Sequence, residues 1–141
     1  MTKTLSTLVK VQQHEVDAQR RAVVELEENL QRMQEALASH LELMAREREA
    51  ARQDIEAARA LPVWLNEAIV HERRLRDQIR QFEAWIVEAR EELQRRYEDL
   101  KKFEIALEAE QKRLAAERLR DEQIMLDEIA GQRAGRDKKG E

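Results

Sequence analysis

Stepping by seven from Val9 gives Val9, Val16, Val23, Leu30, Leu37, Met44, Ala51 and Ala58, a series without a polar member. Only a helix wound close to 3.5 residues per turn returns to one face at that interval, so the series is the seam of a coiled coil. The companion positions Leu5, Gln12, Gln19, Leu26, Met33, His40, Glu47 and Asp54 alternate between apolar and polar. A second series runs Leu65, Glu72, Ile79, Ile86, Leu93, Leu100, Leu107 and Leu114. Its companions are Ala68, Leu75, Phe82, Ala89, Arg96, Phe103, Glu110 and Glu117. A chain patterned in this way is all-α.

Between the two series stands Pro62, in Ala60-Leu61-Pro62-Val63-Trp64-Leu65-Asn66. Proline removes a backbone donor and drives the preceding residue away from the α region, so the sequence predicts a helix end there. The expected organisation is a helical hairpin over 1–131, with a helix over 5–59, a turn over 60–65 and a helix over 66–130. Two starts suit the second helix: Asn66 as N-cap, with Leu65 and Val70 as a hydrophobic staple, or Pro62 at the first helical position. Gly131, just after Leu126 and Ile129, reads as the helix stop. The residues after it, 132–141, carry two glycines and a positive excess and read as a disordered basic tail.

Folding the arms antiparallel about the proline pairs residue i with a residue near 123 − i. The layers are then Val9 with Leu114, Val16 with Leu107, Val23 with Leu100, Leu30 with Leu93, Leu37 with Ile86, and Met44 with Ile79. These twelve residues are the expected seam, with stability concentrated in 16–44 and 79–107. The weaker layers set Gln19 against Phe103, Met33 against Ala89, His40 against Phe82 and Glu47 against Leu75. The rival is a parallel dimer of one continuous helix, which would hold Pro62 in mid-helix at a cost of ~3 kcal/mol or more per chain.

Charged residues make up 40% of the chain and aromatics 4%, which suits a solvated helix pair and not a thick globular core. No glycine precedes Gly131, so a phosphate-binding loop or dinucleotide fingerprint has no place to form. Cysteine is absent. None of His14, His40 and His71 has a second histidine three or four residues away, so they read as structural or surface histidines and no metal site is expected. Paired acids such as Glu27-Glu28 and Glu91-Glu92 fall on solvated helix faces with no pocket to perturb them. No enzyme and no cofactor are expected. A net charge of −4 argues against nucleic acid as the ligand of the whole surface. Neither a signal peptide nor an apolar run long enough to cross a membrane is expected.

In the expected register the second arm outruns the first, and Leu119, Ile124, Met125, Leu126 and Ile129 have no internal partner. Exposed apolar surface of this kind reads as a partner-binding end, against the plainer reading of a frayed terminus resting on Leu5 and Leu8. Trp64, at the expected turn, is open to two readings, packing on Ile55 and Ala58 or exposure as a partner anchor. Trp85, beside seam position Ile86, reads as a residue packing on the flank.

Leu8-Val9-Lys10-Val11 ahead of Glu15-Val16-Asp17, Trp64-Leu65-Asn66 opening the second helix, and Leu126-Asp127-Glu128-Ile129-Ala130 before a basic tail form a pattern. It resembles the FliJ family, the small coiled-coil proteins of the bacterial flagellar type III export apparatus, or their injectisome counterparts. The resemblance implies a cytoplasmic antiparallel hairpin, peripherally associated with the inner-membrane export apparatus. Its implied partners are the hexameric export ATPase, the cytoplasmic domain of the membrane export gate, and export chaperones. The family's gate-docking positions carry different residues here, such as His40, Glu47 and Arg74, so the resemblance assigns no gate-binding surface. A holdase chaperone and a passive spacer are the competing functions, although no strand segments of the kind a prefoldin-like holdase needs are visible.

Overall fold

The computed structural model describes residues 2–139, with side chains from 2 to 137. It contains α1 (Thr2–Gln53) and α2 (Ile55–Lys139), and among the described residues Asp54 alone stands outside a helix. The fold is an all-α helical hairpin, with the turn at Asp54 and not at the expected 60–65.

Local chemistry explains why the chain reverses at Asp54. Its carboxylate oxygen Oδ1 accepts a hydrogen bond from the Glu56 backbone N–H at 3.2 Å, and its carbonyl accepts the first intrahelical bond, from Ala58 N–H at 3.0 Å. Asp54 is therefore the N-cap of α2, a role in which aspartate is among the preferred residues. Glu56 in the first turn of α2 and Arg52 in the last turn of α1 match the signs of the two helix dipoles.

Pro62 lies inside α2, as its eighth residue. The missing N–H forfeits the bond to the Ala58 carbonyl, but Ala58 and Pro62 are both exposed, so that carbonyl can be hydrated and the ring stays out of the seam. The helix also runs on through Gly131 and Gly135 to Lys139, so neither the stop at 131 nor a disordered segment over 132–139 is found; the last two positions of the expected tail fall outside the described residues. Neither glycine has positive φ, and a Cβ at either would meet nothing. Both are ordinary helical residues on a solvated helix.

The chain divides into two compact units, one of Glu15–Arg96 and one of Met1–His14 with Tyr97–Glu141. In the first, two cross-helix hydrogen bonds fix the register. Gln19 Nε2 donates to the Ala89 carbonyl at 3.0 Å, and His40 Nε2 bonds the Ala68 carbonyl at 2.7 Å. Both pairs add to 108, twice 54, so the register is centred on Asp54. The layers accordingly become Val16 with Leu93, Val23 with Ile86, Leu30 with Ile79, and Met44 with Leu65. Every expected partner is displaced by fourteen residues, which is two whole heptads.

That displacement leaves each seam residue on its seam and changes only what it faces. Val16, Val23, Met44, Ile79 and Ile86 are buried, while Leu30, Leu37 and Leu93 are half-buried. Ala68 and Leu75, from the companion series, are buried as well. The buried part of α2 in this unit therefore spans 68–86, closer to the turn than the expected 79–107. The companion series explains the choice of register. In the expected one, Leu26 would meet Arg96 and Gln19 would meet Phe103. In the observed one, Leu26 lies opposite Phe82, Met33 opposite Leu75, and the polar Gln19 and His40 lie opposite small alanines whose carbonyls they reach. Polar residues within a seam specify register in this way, because misplacing them leaves a polar group facing hydrocarbon. Arg90 with Glu27 at 3.0 Å and Arg96 with Glu15 at 2.9 Å clasp the flanks of the same register.

In the second unit α1 contributes residues 2–14 and α2 residues 97–139. Val9 is buried, and Leu5, Leu100, Phe103, Leu107 and Leu114 are half-buried. From 115 to 137 every residue is exposed.

Candidate partner-binding surface

The exposed segment of α2 is long because α2 has 85 residues against 52 in α1, an excess of 33. Leu119 is 67% exposed, Met125 63%, Leu126 60%, Ile124 57% and Ile129 42%, so the expected cluster is assembled on one helix and uncovered.

These five side chains do not all share one face. At about 100° per residue, Leu119, Met125, Leu126 and Ile129 fall within a sector of roughly a third of the helix, with Arg118, Glu122 and Arg133 among them. Ile124 points elsewhere, at the position that continues the companion series of the intramolecular seam. The seam itself becomes polar past Leu114, through Glu117, Asp121 and Glu128. The apolar stripe of the overhang is thus a new face, rotated from the one that α1 covers. Local pairs hold the helix without covering the stripe. Arg113 bridges Glu110 at 2.7 Å and Glu117 at 2.6 Å, and Gln123 donates to Asp127 at 3.1 Å. The Arg113 hydrogen bond holds the Glu110 carboxyl below the ordinary carboxylate range.

Trp64, expected at the turn, sits on the third turn of α2 instead. It is half-buried and lines a shallow hollow with Glu47, Ala57, Ala60 and Leu61. Ile55 remains 73% exposed and so is not the surface on which Trp64 packs. Trp85 is 43% exposed and meets Phe82 edge-on, with ring centroids 5.0 Å apart.

Sequence spacing missed one constellation. His40 on α1 and His71 on α2 stand edge to face, with ring centroids 4.6 Å apart and planes at 82°. Thirty-one positions separate them in the chain, so no local motif could reveal the pair; only a turn at Asp54 brings them to one level. Among the described residues no cluster of three or more histidine or acidic side chains is placed to hold a metal, and no helix is long and apolar enough to cross a membrane. No family model, curated protein or solved structure matches this chain.

Proposed function

We propose that this chain is a non-enzymatic stalk of a bacterial flagellar type III export apparatus, a FliJ-like hairpin. In this reading it couples the hexameric export ATPase to the cytoplasmic domain of the export gate and also meets export chaperones. It would act in the cytoplasm, at the inner-membrane export apparatus. The observation that carries the proposal is the overhang. A shaft that works inside a ring needs one end where a helix extends beyond its partner with apolar side chains left over, and 115–137 is such an end. Leu119, Met125, Leu126 and Ile129 supply the contact, Ile124 a second facet, and Arg118, Arg120 and Arg133 supply steering charge that salt would screen.

The test is the double substitution Ile124→Asp with Leu126→Asp. Neither side chain is covered by α1, so helicity and melting temperature should stay near those of the parent. Stimulation of the export ATPase and motility should be lost. Normal stimulation by a folded double variant would overturn the assignment of the tip. Co-purification of a hexameric ATPase with the tagged chain separates the stalk from a holdase or a spacer, neither of which requires that partner.

A further inference from the structure

We infer that His40 and His71 form a two-imidazole chelate for a divalent transition ion of the zinc, nickel or copper class, clamping α1 to α2. The pair is cross-helical, and its spacing suits one ion once the His71 ring turns out of its edge-to-face contact. With metal–nitrogen bonds of about 2.0–2.1 Å, two adjacent imidazoles on one ion have ring centroids roughly 4.5–5.5 Å apart, and the observed separation is 4.6 Å.

The hydrogen bonding of His40 also suits a ligand. A carbonyl oxygen only accepts, so His40 Nε2, 2.7 Å from the Ala68 carbonyl, carries the hydrogen, and Nδ1 is left with the lone pair of the neutral ring. A metal-bound histidine typically donates its other N–H to a carbonyl or carboxylate, which orients the ring and raises its basicity. The Ala68 carbonyl is already in that role. His71 is exposed, so its ring can turn to bring a nitrogen to the same ion.

His71 lines a hollow together with Asn66, Glu67, Val70 and Arg74. Glu67, one turn before His71, offers a carboxylate that offsets part of the charge of a dication, and Arg74 opposes it. With two imidazoles from the protein and water in the remaining positions, the site favours nitrogen-seeking ions over magnesium or calcium, which demand oxygen shells. An ion bound to both helices would clamp them between the Met44–Leu65 layer and the Met33–Leu75 layer. Protons compete for the same lone pairs, so affinity falls as pH drops.

The experiment uses the full chain, stripped with chelator and titrated with zinc, nickel or copper salts, with magnesium as control. Calorimetry reads stoichiometry, and circular dichroism reads the melting temperature. One ion per chain and a raised melting temperature are expected with the three transition ions and not with magnesium. His71→Ala should melt close to the metal-free parent, because the side chain is exposed, and should bind at least tenfold more weakly with no thermal shift. His14→Ala, at a lone exposed histidine, should behave as the parent does. Absence of binding, or binding and a thermal shift that survive His71→Ala, would overturn the site.

Discussion

Pro62 shows how little a helix breaker decides when it stands on the solvent side. Its ring costs one backbone hydrogen bond at an exposed position, and the layers on either side of it stay packed. Pro62→Ala restores the bond to the Ala58 carbonyl and should stabilise the chain by about 2–3 kcal/mol, read as a higher melting temperature. A fall would mean that the proline itself shapes the turn. Asp54→Ala should cost about 1 kcal/mol, because the Glu56 N–H loses its acceptor. In the seam, Ile86 is 5% exposed, and Ile86→Ala should cost about 2–4 kcal/mol.

At the scale of the elements the question is register, since both helices present a repeat of seven and can slide by whole heptads without losing the seam. The observed register predicts that Leu26→Cys with Phe82→Cys crosslinks rapidly within one chain, whereas Leu37→Cys with Ile86→Cys, paired only in the register displaced by two heptads, does not. Gel mobility under oxidising conditions distinguishes them, and efficient crosslinking of the second pair alone would contradict the cross-helix bonds of Gln19 and His40. Ion pairs within α2 add a pH dependence. Hydrogen bonds from Arg95 and Arg113 hold the carboxyls of Glu92 and Glu110 below their ordinary range. A lowered folded pKa contributes stability that is present above the unfolded value and lost as pH falls through the folded one. Melting temperature should therefore decline through the acid range below that of ordinary carboxylates, and less steeply in Glu92→Gln with Glu110→Gln. Both carboxylates pair only with arginines one turn away on their own helix, which keeps the effect small.

For the whole molecule the consequence is uneven stability. Among the described residues, the unit of 15–96 contains seven of the eight buried apolar residues, and Val9 is the eighth. Residues 115–137 bury nothing and include two glycines, so only local hydrogen bonds and ion pairs hold that helix. Hydrogen exchange should proceed there close to the unfolded rate, while amides near Val23 and Ile86 exchange only through opening of the hairpin. A partner that grips the overhang would slow its exchange, and mapping that protection locates the contact independently of any activity.

The all-α class, the two helices, the seam and the apolar end were all legible in the sequence, because each follows from local periodicity. Residues seven apart return to one face whatever lies opposite, and Ile124 to Ile129 lack a partner in either register. The turn, and with it the pairing, was not legible from the strong series, which fits equally well at any shift of seven. The information lay in the mixed series, where Leu26 needs Phe82, and Gln19 and His40 need alanine carbonyls, and in Asp54, whose capping bond exists only once the chain has turned. The sequence by itself determined which residues face inward. Only the tertiary structure decided which of them meet, and so that His40 meets His71, because the energy separating one register from another resides in contacts between helices and not within either one.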